Sequence, residues 1–267
     1  MVRRPRGDTL VRSPDQLAVE EPVEVRVEWP SGRQVLGVTM RTPGHDMELV
    51  AGFLLAEGVV DDAGDVARIA YCAGPGTAAA QRYNVVRAIL RRPPRRSVGG
   101  RQTVTSSACG VCGTTSIEAL RAAGLPALGA GPQVPLAWVG DLPDRLRAEQ
   151  RSFDDTGSVH GAGLAEANGS LLVVREDVGR HNAVDKVLGW ALLSGRLPAS
   201  SAALVVSGRV SFEIVQKSAR AGVPIVVAVS GATSLAVALA EEVGTTLVGF
   251  VRGGRCTVYC GPQRLLP

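Results

Sequence analysis

The chain has 267 residues, which is enough for one large domain or two small ones with a full hydrophobic core. Its five cysteines are an odd number in a chain too large to depend on disulfides, which argues against a disulfide framework and favours a reducing compartment. No run reaches the ~18 apolar residues of a membrane helix, and no apolar stretch follows the basic first residues, so we expect a cytoplasmic protein with no membrane contact.

The formal net charge of +4 is distributed unevenly. A Pro/Gly-rich loop ahead of residue 102 contains five arginines, namely Arg91, Arg92, Arg95, Arg96 and Arg101. Such a loop is either a solvated surface or a basic collar that attracts an anionic ligand or an acidic protein. Aromatic residues do not alternate with these arginines, so the stacking platforms of single-strand binders are missing and we expect no nucleic-acid partner.

The first hundred residues predict a small α+β subdomain. Residues 1–18 are rich in Arg, Pro and Asp and are predicted to be a disordered basic tail. Apolar alternation and helical spacing then predict three strands and a helix, over 22–29, 34–41, 83–90 and, for the helix, 46–58. Residues 19–102 are therefore interpreted as one subdomain that includes the Arg-rich loop.

Residues 103–262 predict an α/β domain in which strands alternate with helices. Strands are predicted at 171–175, 203–207, 224–230 and 246–251, and helices at 183–194, 211–221 and 234–243. Residues 256–260 are predicted to pair as an edge strand. Short connections in this alternating order predict a largely parallel sheet between helices.

The residues that follow these strands are candidates for ligand binding, because open sheets of this kind bind ligands outside the carboxyl ends of their strands. Each of the four strand ends combines glycine with hydroxyls, cations or free N–H groups, as polyphosphate binding requires. The candidate residues are Arg180, His181, Ser207, Arg209, Ser230, Phe250, Val251, Arg252, Gly253, Gly254 and Arg255. Ordinary helix caps and turns are the alternative interpretation.

The sequence leaves more than one role open for two histidines and two lysines near these loops. His181 is a general acid or base, a donor to phosphate, or a structural histidine, and His160 is equally ambiguous. Lys186 and Lys217 are the only lysines beside 27 arginines. A compact ammonium at these two positions reflects either a chemical requirement or chance.

Cys109 and Cys112 form a CxxC pair ahead of a helix predicted at 114–123. The positive end of a helix dipole favours the thiolate, so the pair is predicted to be nucleophilic. Three readings compete. A structural zinc site needs four ligands, which Cys72 and His160 would have to complete. A thioredoxin-like pair would follow the first strand of a βαβ unit, and a persulfide carrier needs an exposed nucleophilic cysteine.

Several strings of the sequence together form a specific pattern. They are Cys109-Gly110-Val111-Cys112-Gly113, Asp177-Val178-Gly179-Arg180-His181-Asn182-Ala183-Val184-Asp185-Lys186, Ser207-Gly208-Arg209-Val210-Ser211-Phe212-Glu213 and Thr233-Ser234-Leu235-Ala236. Two earlier segments belong to the same pattern, Met40-Arg41-Thr42-Pro43 and the run from Gly52 to Gly58. These strings closely resemble the FdhD/NarQ family of formate dehydrogenase accessory proteins, and the resemblance covers about residues 20–260.

The resemblance implies a sulfurtransferase that takes persulfide sulfur from a cysteine desulfurase. The sulfur is delivered to the molybdenum of a bis-molybdopterin guanine dinucleotide cofactor, as formate dehydrogenase requires. Cys109 matches the persulfide-bearing cysteine and Cys112 its partner, while Phe250–Arg255 matches the cofactor-binding stretch. The family also implies a homodimer.

The fold that the resemblance implies is a cytidine-deaminase-like α/β/α layered sheet. The zinc site of deaminases needs His-x-Glu and Pro-Cys-x-x-Cys, but Ala108 replaces the proline and neither His160 nor His181 begins a His-x-Glu string. We therefore expect no metal site, which leaves the cysteines free as nucleophiles. The alternatives are a non-catalytic chaperone for the cofactor and a CxxC thiol-disulfide oxidoreductase.

Overall fold

The structure is a computed structural model that describes residues 2–6, 9–72, 83–95, 104–105 and 124–267. Cys109, Cys112, Arg96, Arg101 and the helix predicted at 114–123 lie outside the described residues. No helix in the described ranges is both long and apolar enough to cross a bilayer.

The N-terminal segment forms a hairpin. Strand β1 (Val2–Arg6) pairs antiparallel with β2 (Thr9–Ser13). The composition of residues 1–18 predicts disorder, and the structure differs because a hairpin is held by main-chain hydrogen bonds, which composition does not report. Residues 9–12 remain exposed, so this hairpin adds little to the hydrophobic core.

A five-stranded sheet follows, in the order β5-β6-β3-β4-β7. Its strands are β3 (Glu21–Trp29), β4 (Gly32–Arg41), β5 (Val66–Tyr71), β6 (Val85–Leu90) and β7 (Val104–Thr105). The strands predicted near β3, β4 and β6 are confirmed. The alternating Val23, Val25 and Val27 are all buried, so this face of the sheet packs on the core.

The second sheet has six strands in the order β10-β9-β11-β12-β13-β14. They are β9 (His160–Glu166), β10 (Leu171–Asp177), β11 (Ala202–Val206), β12 (Ile225–Ala228), β13 (Thr246–Arg252) and β14 (Arg255–Cys260). Only β11, β12 and β13 are mutually parallel. The prediction of a largely parallel sheet is wrong, because β9 was not predicted and forms an antiparallel hairpin with β10. The predicted edge strand is confirmed as β14.

Helices cover both faces of this sheet. The helices are α1 (Asp46–Ala56), α2 (Leu136–Ala148), α3 (Arg151–Thr156), α4 (Arg180–Leu193), α5 (Phe212–Arg220) and α6 (Ser234–Val243). Buried residues of α2 share one apolar cluster with β11, β12 and β13, and those of α4, α5 and α6 share another. The result is a mixed α/β fold with layers of helix, sheet and helix.

The two sheets share one apolar core. Helix α1 lies against α4, and the buried residues of β3, β6, α1, α4 and β11 belong to a single cluster. The crossing is close because both helices carry glycine there: a Cβ on Gly52 would lie 1.9 Å from the carbonyl oxygen of Asp185. A Cβ on Gly189 would lie 1.8 Å from the carbonyl oxygen of Glu48. Two short strands, β8 (Val134–Pro135) and β15 (Leu265–Leu266), pair in parallel as a separate two-stranded sheet.

Candidate functional site

The candidate site lies where β11 and β12 end and β9 begins. Because β9 runs antiparallel to β11, His160 comes next to the loop that follows β11. The start of α4 lies against the same loop. The structure therefore brings together His160, Arg180, His181, Ser207 and Arg209, which we call the strand-end cluster.

Helix α4 begins three residues earlier than the sequence predicts, so Arg180 and His181 lie in its first turn and not in a loop. Gly179 is the N-cap and has no side chain with which to cap the helix. The Asp177 carboxylate, at the end of β10, accepts a hydrogen bond from the Gly179 amide at 2.9 Å. This hydrogen bond closes an Asp turn just before the helix, and no side chain among the described residues caps α4, in keeping with the absence of the usual N-cap signal from the sequence.

Ser207 and Gly208 fix the spacing inside the cluster. The Ser207 hydroxyl accepts a hydrogen bond from the Gly161 amide at 2.9 Å, which joins the loop to β9. A Cβ on Gly208 would lie 3.4 Å from His160 Nδ1 and 3.6 Å from Arg180 Cδ. Glycine at this position lets the imidazole and the arginine stem approach the same stretch of backbone.

Both cluster histidines are held neutral. Burial lowers the pKa of His160, and the charges of Arg180 and Arg209 lower it further. Burial likewise lowers the pKa of His181 to about 4, against the opposing effect of Glu213. A position in the first turn of a helix also disfavours an imidazolium. The cations available at this edge at neutral pH are therefore arginines and not histidines.

His181 Nε2 lies 3.2 Å from Ser211 Oγ and 3.4 Å from Glu213 Oε2. A serine, a histidine and a carboxylate are thus adjacent, but both oxygens contact the same ring nitrogen. In a catalytic triad the carboxylate and the serine contact opposite nitrogens. The arrangement is therefore not one that activates a serine nucleophile.

Beneath the cluster lies a set of buried ionic contacts that sequence reasoning missed as a network. Lys186 Nζ lies 2.8 Å from Asp177 Oδ2, donates to the carbonyl of Thr42 at 2.8 Å and to that of Glu176 at 3.2 Å. Asn182 Nδ2 donates to the Met40 carbonyl at 2.7 Å. These contacts fasten α4 to the end of β4. The sequence signal for these contacts was the presence of Lys186 and Lys217, the two lysines in an arginine-rich chain.

Lys217 occupies a second buried ionic site. Its Nζ lies 2.8 and 2.9 Å from the two oxygens of Asp185 and 3.3 Å from Glu213 Oε1. The two carboxylates raise the pKa of Lys217 despite its complete burial, so the ammonium stays charged. The site links the middle of α4 to α5 and ends at the carboxylate that faces His181.

Ser230 and Phe250 form a neighbouring group. The loops after β11 and β12 are joined by a bridge between Val210 and Ala232, and Phe250 donates its amide to the Ser230 carbonyl at 3.1 Å. Phe250 has a left-handed φ of 52° and is 56% exposed. Its ring lies over Gly231, where a Cβ would be 2.7 Å from Cζ.

The rest of the predicted 250–255 stretch continues away from this group. Val251 of β13 is buried, whereas the exposed Arg252 and Arg255 flank the Gly253-Gly254 turn that joins β13 to β14. Arg252 and Arg255 face each other across that hairpin. Both arginines are exposed and follow Phe250 by two and five residues in the sequence.

The edge can bind a polyanion. The first turns of α4, α5 and α6 follow the strand-end loops, and helix starts present unpaired amides to anions. Arg180 and Arg209 add cations whose planar form suits phosphate. No group of three or more His, Cys, Asp or Glu among the described residues has the arrangement of a metal site.

These features define a mixed α/β protein in which arginines and helix starts meet at the ends of the central strands, which we call the candidate anion-binding edge. A sequence model described as the FdhD/NarQ family matches residues 18–266. A "Sulfur carrier protein FdhD" from Nocardia farcinica is 51% identical over 257 residues, covering 96% of this chain and 90% of that protein. One of the same name from Corynebacterium efficiens is 52% identical over 255 residues, covering 93% and 90%. The chain belongs to the FdhD/NarQ family.

A solved structure agrees with this assignment. The crystal structure described as a formate dehydrogenase accessory protein from Desulfotalea psychrophila has a TM-score of 0.76 and 29% sequence identity. The match covers 99% of this chain and 97% of that one. The resemblance found in the sequence motifs is thus confirmed at the level of the family.

Proposed function

We propose that this chain is a sulfur carrier that takes sulfur from a cysteine desulfurase and delivers it to the molybdenum of bis-molybdopterin guanine dinucleotide. Formate dehydrogenase is the enzyme that receives the sulfurated cofactor. The names of the relatives support sulfur carriage, and that of the related crystal structure supports the link to formate dehydrogenase. The cofactor is the acceptor in this reaction and not a resident group of the protein.

The observation that carries the proposal is the position of β7, the last described segment before the CxxC pair, beside the first turn of α4. Strand β7 pairs with β4, so Thr105 lies beside Thr39. The Thr39 hydroxyl donates to Asn182 Oδ1 at 3.4 Å, and Asn182 follows His181 directly. Cys109 is four residues beyond Thr105, and four residues span at most about 14 Å. Thr105, the last described residue before the CxxC pair, therefore lies near the first turn of α4, which carries Arg180 and His181.

The first step is an exchange between sulfurs. The Cys109 thiolate attacks the outer sulfur of the desulfurase persulfide, a new S–S bond forms, and the desulfurase cysteine leaves as a thiolate. The product is a Cys109 persulfide. No net oxidation occurs, because one sulfur–sulfur bond replaces another.

Cys112 supplies the electrons for release. Its thiolate attacks the Cys109 sulfur, which forms a Cys109–Cys112 disulfide and expels hydrosulfide as the ligand for the metal. The two thiols lose two electrons and the released sulfur gains them. A cellular dithiol must then reduce the disulfide before the next cycle.

The strand-end cluster holds the acceptor. Arg180, Arg209 and the helix starts suit the phosphates of a guanine dinucleotide. Phe250, exposed and held in place over Gly231, offers a ring face for stacking of the guanine or the pterin. Ser207 and Ser230 then lie along the path between these two binding regions. The proposal also includes a homodimer and a fold of the cytidine-deaminase-like type.

The experiment combines sulfur loading with enzyme activation. The purified protein is incubated with a cysteine desulfurase and L-cysteine, and its intact mass is measured. The same variants are then tested for activation of formate dehydrogenase in cells that lack the native accessory protein. Cys109→Ala should gain no sulfur and give no activation, whereas Cys72→Ala, which alters a thiol far along the chain from the CxxC pair, should behave as wild type.

Two other outcomes would replace the proposal. Activation that survives loss of both Cys109 and Cys112 would indicate a chaperone that holds the cofactor without moving sulfur. Catalytic turnover of a dithiol substrate, with no sulfur gained by either cysteine, would indicate a thiol-disulfide oxidoreductase. Cys112→Ala separates the two steps, since it should still gain sulfur but deliver less of it unless an external dithiol is added.

A further inference from the structure

The contacts of His181 Nε2 are unusual for a helix start. Ser211 is the N-cap of α5, yet its hydroxyl makes no hydrogen bond to the amides of its own helix and lies on the imidazole instead. On the same side, Glu213 Oε2 is buried and has no hydrogen-bond partner within the described ranges. A buried carboxylate oxygen without a donor is unfavourable, so this oxygen needs an explanation.

Glu213 is charged in this setting. Burial alone would raise the pKa of Glu213, but Lys217 outweighs burial and the net pKa lies below its usual value. Lys217 is held by Asp185 and cannot turn away. A negative oxygen therefore faces His181 Nε2 at 3.4 Å.

That negative oxygen selects the protonation state of the ring. If Nε2 were unprotonated, its lone pair would face the carboxylate, and Oε2 would keep no donor. If Nε2 carries the hydrogen, it donates toward Ser211 Oγ and Glu213 Oε2 together. The doubly protonated ring is disfavoured by burial and by the nearby positive charges of Lys217 and Arg180. The neutral ring with its hydrogen on Nε2 remains.

We propose that Glu213 is a positioning residue that fixes His181 as the neutral Nε2–H tautomer, so that Nδ1 accepts a hydrogen bond from an N–H or O–H group of the ligand. Among the described residues, the side-chain contacts of His181 are made by Nε2. A lone pair repels a phosphate oxygen, so the phosphates fall to Arg180 and Arg209. His181 Nδ1 then accepts a hydrogen bond from the heterocycle or the sugar of the ligand. The ligand part of this inference rests on the proposed function, whereas the tautomer does not.

The tautomer is measured by NMR of protein labelled with ¹⁵N in the histidine rings. The chain has three histidines, so His45→Gln and His160→Gln assign the third ring. We expect a protonated Nε2 and an unprotonated Nδ1 at His181. In Glu213→Ala the Nδ1–H form should rise about fivefold, the ratio that one hydrogen bond of ordinary net strength supports.

Two further variants keep this test decisive. Glu213→Gln keeps an oxygen acceptor without the charge, so its Nε2–H fraction should lie between those of wild type and Glu213→Ala. Glu241→Gln removes an exposed carboxylate of α6 and should change nothing. A wild-type ring protonated on Nδ1, or a tautomer ratio unchanged in Glu213→Ala, would overturn the positioning role.

The ligand part is tested by adding three probes to the labelled protein. GDP carries base, sugar and phosphates, ribose 5-phosphate carries hydroxyls and phosphate, and pyrophosphate carries neither N–H groups nor sugar hydroxyls. A shift of the Nδ1 resonance with GDP alone identifies the base as donor, and a shift with both sugar compounds identifies a hydroxyl. A shift with pyrophosphate, or bound GDP that leaves Nδ1 unmoved, contradicts the acceptor role. Failure of GDP to bind would contradict the proposed cofactor site and the acceptor role together, while the tautomer measurement stands by itself.

Discussion

At the scale of single residues, the buried charges decide which parts of this site are rigid. Lys186 is 1% exposed, and its ammonium is satisfied by Asp177 and two carbonyls from separate segments. Buried ions of this kind are stable only while every partner is present. The buried contacts that support the strand-end cluster therefore tolerate little substitution. Arg209 and Phe250, in contrast, are exposed.

Replacement of Lys186 tests how much these buried contacts contribute to the free energy of unfolding. Lys186→Met should lower the free energy of unfolding by about 3–5 kcal/mol, because Asp177 is left buried without its partner. The comparison is Arg87→Met, which breaks a 3.1 Å ion pair with Glu28 whose side chains are 49% and 45% exposed. That change should cost under about 1 kcal/mol. Urea unfolding of both variants gives the two values, and equal losses would refute the distinction.

The buried neutral His181 predicts a dependence of stability on pH. Its pKa is about 4 in the folded protein and about 6.5 in the unfolded chain, so between these values only the unfolded state is protonated. The contribution of His181 to stability is therefore complete above pH 6.5 and is lost as the pH falls towards 4. Between pH 6.5 and 5 this loss is about 2 kcal/mol relative to His181→Asn, measured by urea unfolding. A variant with the same pH dependence as wild type would contradict a neutral buried ring.

At the scale of elements, the crossing of α1 and α4 holds the two sheets together. Backbone approaches backbone at Gly52 and Gly189, and Arg175 adds an ion pair to Glu48 at 2.8 Å across the same junction. Because α4 packs against α1 between Asp185 and Gly189, the position of its first turn, which carries Arg180 and His181, depends on this crossing. The candidate anion-binding edge thus depends on glycines far from it.

Substitution of those glycines tests the crossing. Gly52→Ala and Gly189→Ala should each destabilise the protein by about 3 kcal/mol or more, because a methyl group would overlap a carbonyl of the facing helix. Gly140→Ala is the matched control, since it lies in helix α2 and has nothing within 4 Å of the added carbon. That control should be neutral or stabilising by up to about 1 kcal/mol. The midpoints of thermal unfolding measure these effects. A Gly140→Ala variant less stable than Gly52→Ala and Gly189→Ala would contradict the role of the crossing.

The elements also show what the sequence could and could not predict. Strands with clear alternation, such as Val23, Val25 and Val27, were predicted almost to the residue. Helix α2 was missed because Gly140 and Pro143 indicate a turn, although Trp138, Val139, Leu142 and Leu146 form the buried stripe of a helix. Strand β9 was missed because a glycine-rich string gives no alternation, yet its glycines admit close neighbours such as Gln150 at Gly161.

The candidate site was predicted in part for similar physical reasons. Arg180, His181, Ser207 and Arg209 were identified because strand ends in such sheets bind ligands, and the structure brings them together. The support beneath them was not predicted as a network, since Asp177, Asn182 and Glu213 find their partners through tertiary contacts. The contact between His181 and Glu213 joins residues 32 positions apart, a distance at which no sequence periodicity operates.

At the scale of the whole molecule, the boundary predicted between residues 102 and 103 crosses a continuous apolar core. Residues of β3 and β6 on one side and of α4 and β11 on the other belong to one cluster. Asn182, Lys186 and Arg175 add polar contacts from the second part to the first. We therefore expect the two parts to unfold together.

Tryptophan fluorescence tests that expectation. The chain has three tryptophans, of which Trp29 lies in the first part and Trp138 and Trp190 in the second. Variants that retain a single tryptophan should give the same midpoint in urea, because one core unfolds as one unit. An earlier transition at Trp29 than at Trp138 would indicate two domains that fold separately.

The central claim is that Cys109 carries the sulfur that is delivered to the cofactor. The most direct test is intact-protein mass spectrometry after incubation with a cysteine desulfurase and L-cysteine, followed by peptide mapping of the product. The account predicts a gain of sulfur mass that maps to Cys109, persists in Cys112→Ala and disappears in Cys109→Ala. Sulfur that maps to Cys72, Cys256 or Cys260, or no gain in a protein that still binds GDP, would contradict it.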